Sequence, residues 1–141
     1  MIVYLVRHAS AGHRRDWVGD DRLRPLDERG VRQAASLVSQ LEGREVARIV
    51  SSPYLRCVET VVPLADARGL TVEAENVLGE PADLEGAVAL FRSSPDPLVA
   101  SIHGDLAEEL LGASMKKGST TVLELDGAGK PRVLERLAPQ A

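Results

Sequence analysis

The chain has 141 residues, 44% of them hydrophobic and 27% charged, which predicts one globular domain over residues 1–141 with enough buried surface to fold without a disulfide or metal staple. A net charge of −4 argues against a nucleic-acid polymer as partner, which needs a basic footprint. Tyr4, Trp17, Tyr54 and Phe91 are the only aromatics, too few for stacking single-stranded bases. Cys57 is the single cysteine, so no internal disulfide can form, as fits a reducing compartment.

Ile2 to Val6 is a β-branched apolar run, the pattern of a strand buried on both faces. It is too short for a signal-peptide core or a membrane span, so a soluble cytoplasmic protein with no membrane partner is expected. Residues 9–26 read as a long polar loop. Asp27 can cap a helix in which Val31, Ala34, Ala35, Val38 and Leu41 recur at helical spacing, ended by Gly43. Val46 to Val50 is a second strand. Ser51-Ser52-Pro53 has the form of a helix start, Leu55, Val58, Val61, Val62 and Ala65 the apolar face, and Gly69 the stop. Pro63 should kink that helix or end it early.

Leu70 to Glu73 is a weak third strand, residues 76–83 a loop, and Leu84, Ala87, Val88 and Phe91 a third helix. Pro97 to Ile102 is the fourth strand, and Leu106, Leu110 and Leu111 lie on a short helix closed by Gly112. Thr120 to Leu125 and Arg132 to Leu137 flank Asp126-Gly127-Ala128-Gly129 as an antiparallel hairpin. Alternating strands and helices predict a three-layer α/β/α fold, its sheet mostly parallel with an antiparallel C-terminal hairpin.

Ligands of open α/β sheets bind beyond the carboxyl ends of the strands. Arg7 and His8 follow the first strand there, Ser51, Ser52 and Arg56 the second, Glu80 lies in the loop after the third, and His103-Gly104 ends the fourth. Alone, each has an ordinary reading as a solvated loop residue or helix cap; their convergence on one rim is the signal. Two arginines, two histidines and two helix N-termini make a phosphate dianion the ligand that suits this rim. A metal site built from His8, His13 and His103 matches no ligand spacing and lacks a carboxylate partner.

Leu5-Val6-Arg7-His8-Ala9 resembles the signature of the histidine phosphatase superfamily, the phosphoglycerate-mutase-like fold, with Ala9 where the usual motif has Gly. Arg24 to Ala34 is similar to the family's Leu-Thr-x-x-Gly-x-x-Gln-Ala segment. Ser52-Pro53-Tyr54-Leu55-Arg56-Cys57-Val58-Glu59-Thr60 is similar to its Ser-x-x-x-Arg-x-x-x-Thr pattern. His103-Gly104 stands where a second active-site histidine is expected. The length resembles the small SixA-like branch. Ala9 to Gly12, Gly19 to Asp21 and Lys117 to Thr120 are also similar to the phosphatase domain that follows the Nudix domain in actinobacterial MutT-type hydrolases, although no Nudix box is present.

The resemblance implies a metal-independent, cofactor-free phosphatase with His8 as nucleophile and a phosphohistidine intermediate. Arg7, Arg56 and His103 would bind the phosphoryl oxygens, and Glu80 would be the general acid. Asp105 is the rival carboxylate, read first as an acidic residue in a helix's first turn. Lys116 and Lys117 read first as a solvated pair, with a second phosphate as their functional alternative. The expected substrate is a protein phosphohistidine. A nucleotide or other small phosphorylated metabolite is the alternative, and a phosphate-binding regulator without catalysis is a further one. A mutase is disfavoured because the chain has little room for insertions that would bury a small substrate.

Overall fold

The computed structural model describes residues 1–140. Strands β1 (Ile2–Arg7), β2 (Arg48–Ser51), β3 (Val72–Ala74), β4 (Leu98–Ile102), β5 (Thr120–Leu125) and β6 (Pro131–Leu137) form one sheet in the order β3-β2-β4-β1-β5-β6. The first four run parallel; β5 lies antiparallel to β1, and β6 antiparallel to β5. Helices α1 (Glu28–Gln40), α2 (Leu55–Arg68), α3 (Leu84–Arg92) and α4 (Gly104–Leu111) connect and cover the strands.

Strand alternation sorts the core into two layers. Val3 and Leu5 of β1 pack with Phe91 of α3 and Leu106 of α4 on one face. Tyr4 and Val6 pack with Leu37 of α1 and Leu64 of α2 on the other. This is the expected α/β/α fold, and its sheet is mixed in the way the terminal hairpin predicts.

Several local readings are corrected. α2 begins at Leu55, with Tyr54 as its cap, and not at Ser51-Ser52-Pro53. The Ser52 hydroxyl faces His103 instead, at 2.8 Å from Nε2. Pro63 does not end α2. Leu64 and Ala65 beyond it are buried, and a left-handed Gly69 cap closes the helix after Arg68, so packing and the cap outweigh the missing N–H. The buried face of α1 is Gly30, Gln33, Ala34 and Leu37. Val31 is 58% exposed and Ala35 is exposed. The predicted apolar stripe is rotated because Gly30 and Gln33 must face the loop after β1. The 9–26 loop carries 3-10 turns at Arg14–Asp16 and Asp21–Leu23, and the 76–83 loop a third at Asn76–Leu78 that buries Leu78.

Register positions the chemistry. Arg7 of β1 pairs with Ile102 of β4, and Ser51 of β2 with Ser101. His8, His103 and Ser52 therefore leave three adjacent strands at one height, and the His8 and Ser52 N–H groups donate to the carbonyls of Ile102 and Ser101 at 3.0 Å each.

Candidate active site

Beyond that rim lies a cleft of ≈ 370 Å³ that includes Arg7, His8, Arg56, Glu80 and His103 in its walls. All five side chains singled out from the sequence come together there, and Asp105 and Lys117 join them at the edges. Lys116 faces a separate hollow near β6.

His8 is 6% exposed. Its Nδ1 lies 2.8 Å from the Ala9 carbonyl oxygen, an acceptor only, so this nitrogen carries the proton and Nε2 keeps its lone pair. Burial lowers the His8 pKa to about 4, assisted by the charges of Arg56, Arg7 and Lys117 and opposed by the Ala9 bond. The ring is neutral at physiological pH. The His103 ring stands 5.7 Å from it, centroid to centroid. Burial and the neighbouring His8, Arg56 and Arg14 lower the His103 pKa to about 3. The Ser52 hydroxyl lies 2.8 Å from His103 Nε2 and accepts from the Tyr54 N–H at 3.2 Å. His103 Nδ1 lies 3.6 Å from Glu80 Oε1, an acceptor-only oxygen when ionised, which suits a proton on Nδ1.

Arg56 is 1% exposed although it carries a full charge. Its Nη2 donates to Glu80 Oε1 at 2.9 Å and to Asp21 Oδ2 at 3.1 Å, and its Nη1 to the Asp21 carbonyl at 2.9 Å. Arg7 packs its guanidinium against Gly104 and donates through Nη1 to the Met115 carbonyl at 2.6 Å. The Nε groups of both arginines are buried without a partner. Two unsatisfied cationic N–H donors beside a neutral imidazole are the environment that an oxyanion satisfies.

The Asp27 cap of α1 was expected from the sequence; the rest of the support around these groups was not. Asp27 caps α1 through the Gly30 N–H at 2.8 Å and also accepts from the Ser10 hydroxyl and the Gly12 N–H. Gln33 holds the Ser10 N–H at 2.9 Å. A Cβ on Gly30 would overlap the Ser10 carbonyl oxygen, so only glycine lets α1 approach the nucleophile loop. Thr60, one turn after Arg56, accepts the Ala9 N–H at 2.9 Å. Among the described residues no non-glycine residue has positive φ, so Ala9 sits without strain at a position where the motif has Gly. Asp21 joins Arg14, Arg24 and Arg56 through its carboxylate; its signal was its place in the long Arg- and Asp-rich loop. Asp105 is committed to the Ala82 and Leu106 N–H groups, both at 2.8 Å, as its first-turn reading implies. Cys57 lies beneath His103 with its thiol pKa pushed up to about 12 by burial, and is unreactive. Among the described residues no group of three or more His, Cys, Asp or Glu side chains is arranged to hold a metal ion.

The fold is that of the phosphoglycerate-mutase-like class, with the cleft at the carboxyl ends of its parallel strands. Residues 3–89 match the histidine phosphatase superfamily, branch 1; the chain belongs to this superfamily. It is 41% identical over 80 residues to the 8-oxo-(d)GTP phosphatase of Mycolicibacterium smegmatis, a match covering 57% of this chain and 25% of that protein. The chain thus spans about a quarter of this curated relative. The structure resembles that of the protein histidine phosphatase SixA complexed with tungstate, with a TM-score of 0.82, 23% identity, and 99% of this chain and 97% of that one covered. It also resembles a mycobacterial glucosyl-3-phosphoglycerate phosphatase, with a TM-score of 0.71, 18% identity, and 99% of each chain covered. No helix among the described residues is long and apolar enough to cross a membrane.

Proposed function

We propose that the chain, as a single domain, hydrolyses phosphorylated substrates through a covalent phosphohistidine on His8, without a metal or other cofactor. The observation that carries this reading is the Nδ1–Ala9 hydrogen bond, which leaves Nε2 of a neutral, buried ring free on the cleft side. Nε2 attacks phosphorus while the bond to the leaving group breaks on the opposite side. Arg7 and Arg56, with the Nδ1–H of His103, bind the non-bridging oxygens, and their fixed charges stabilise the transferring group. Those oxygens take over the Arg56 donors while Glu80 keeps its Arg14 contact at 2.9 Å, and Glu80, carrying a proton drawn from solvent, passes it to the leaving group. Water then attacks the phosphorus, the N–P bond breaks, and orthophosphate leaves with His8 neutral again.

The proposed substrate is a phosphohistidine on another protein. The cleft is bounded by the long loop after β1, the Glu80 loop and the first turn of α4, and among the described residues no α-helix or strand is inserted across it, so a phosphorylated side chain on a protein surface can enter toward His8. A nucleotide is the second reading, favoured by the sequence match to the mycobacterial 8-oxo-(d)GTP phosphatase. Rapid acid-free quenching with a radiolabelled phosphoryl donor should trap acid-labile label on the wild type and none on His8→Ala, which should fold normally and lose turnover. Full activity in that variant would remove His8 as nucleophile. A higher kcat/KM for phosphohistidine peptides than for nucleotides supports the first substrate reading, and the reverse order the second.

A further inference from the structure

The cleft holds more positive charge than one phosphoryl group uses. Arg14, Arg24 and Arg56 are each paired with a carboxylate. Arg7 donates to a backbone carbonyl. Lys117 lines the same cleft with no ion pair or hydrogen bond among the described residues, and it is the lysine of this wall. Its backbone is held in place: the Gly118 N–H is shared between the carbonyls of Arg7 and His8, at 3.1 and 3.0 Å, and the Arg7 N–H donates to the Ser119 carbonyl at 3.1 Å. Gly118 has φ +80°, and a Cβ there would press on Gln33 at 2.9 Å, so the turn is locked against the side chain that orders the Ser10 loop. The lysine one residue from this anchor lines the same cleft as His8.

We infer that Lys117 forms an anion subsite next to the phosphoryl position, and that the preferred substrate carries a second anionic oxygen group close to the group removed. Partial burial and the charges of Arg7, Arg24 and Arg56 lower the Lys117 pKa. Clustered cations of this kind gain from an added anion. A nucleoside diphosphate supplies that group as a second phosphate; a phosphorylated protein supplies it as an Asp or Glu beside the modified residue. The inference rests on the phosphoryl position proposed above, but its test does not require turnover.

Binding of inorganic pyrophosphate and of orthophosphate is measured by titration calorimetry on the wild type, Lys117→Met, Lys117→Gln and Lys117→Arg. The ratio of pyrophosphate to orthophosphate affinity should fall about tenfold in Lys117→Met and Lys117→Gln and stay near wild type in Lys117→Arg. The wild-type ratio should shrink as salt rises, since a rim charge is screened over about 8 Å at physiological ionic strength. An unchanged ratio in both neutral variants overturns the subsite, as does an equal loss for both anions. Failure of the phosphatase reading itself would appear separately, as turnover that survives His8→Ala. If the subsite holds, competition by a nucleoside diphosphate and by a phosphopeptide with a neighbouring Asp identifies the source, the stronger competitor being the one whose advantage disappears in Lys117→Met.

Discussion

Gly104→Ala is expected to separate activity from stability. A Cβ on Gly104 would lie 2.8 Å from Arg7 Cζ and 3.0 Å from its Nε and Nη2. Non-bonded carbons rest at about 3.5–4.0 Å, so the guanidinium must move by roughly 0.7–1 Å. The displaced atoms are the far end of a flexible side chain, and alanine favours the first turn of α4 as well as glycine does or better. The cost therefore falls on position and not on folding: the Tm should change by no more than a few degrees. A misplacement of about 1 Å in a transition-state contact costs up to about 10²-fold in rate, and kcat/KM for p-nitrophenyl phosphate should drop roughly 10- to 100-fold. Steady-state kinetics and thermal melts on one preparation test this. Activity within twofold of wild type would mean that Arg7 does not bind the phosphoryl group. A collapse of stability would mean that the close approach at Gly104 serves the fold.

The pH dependence follows from the buried histidines. An unfolded His8 titrates near 6.5 and the folded one near 4, so between these values the unfolded chain binds more protons and stability falls as pH falls. From pH 6.5 to 5 the His8 contribution should be a loss of about 1–2 kcal/mol, read from urea midpoints, and His8→Ala should reduce the slope, leaving the share of His103; an unchanged slope, or an NMR titration of His8 near 6.5, would refute the assignment of a neutral buried ring. Glu80→Gln should lower the hydrolysis of alkyl phosphates by about 10²–10⁴-fold and that of p-nitrophenyl phosphate far less, because a good leaving group needs no proton; equal losses would make Glu80 a positioning residue only.

The order of strands and helices was legible in the chain because period-2 and period-3.6 apolar patterns are local properties. The residues that close the cleft were legible for a related reason. Arg7, His8, Ser52, Arg56 and His103 directly follow strands or open helices, and a parallel sheet brings strand ends to one edge wherever the strands stand in the sheet. What the chain could not disclose was any relation that crosses the sheet. The order β3-β2-β4-β1-β5-β6 decides that His8 and His103 are neighbours and that β5 delivers Lys117 to the same rim. The helix start at Ser52 was misread because a hydroxyl that caps a helix and one that holds a histidine look alike until the partner strand is in place. The apolar stripe of α1 was misread because Gly30 and Gln33 are buried for their contacts with the Ser10 loop and not for their hydrophobicity. Local periodicity determined the elements; only the packing of distant segments decided which polar groups lost their water, and with it the neutral state of His8, the unpartnered Nε groups of Arg7 and Arg56, and the sharing of Asp21 among three arginines.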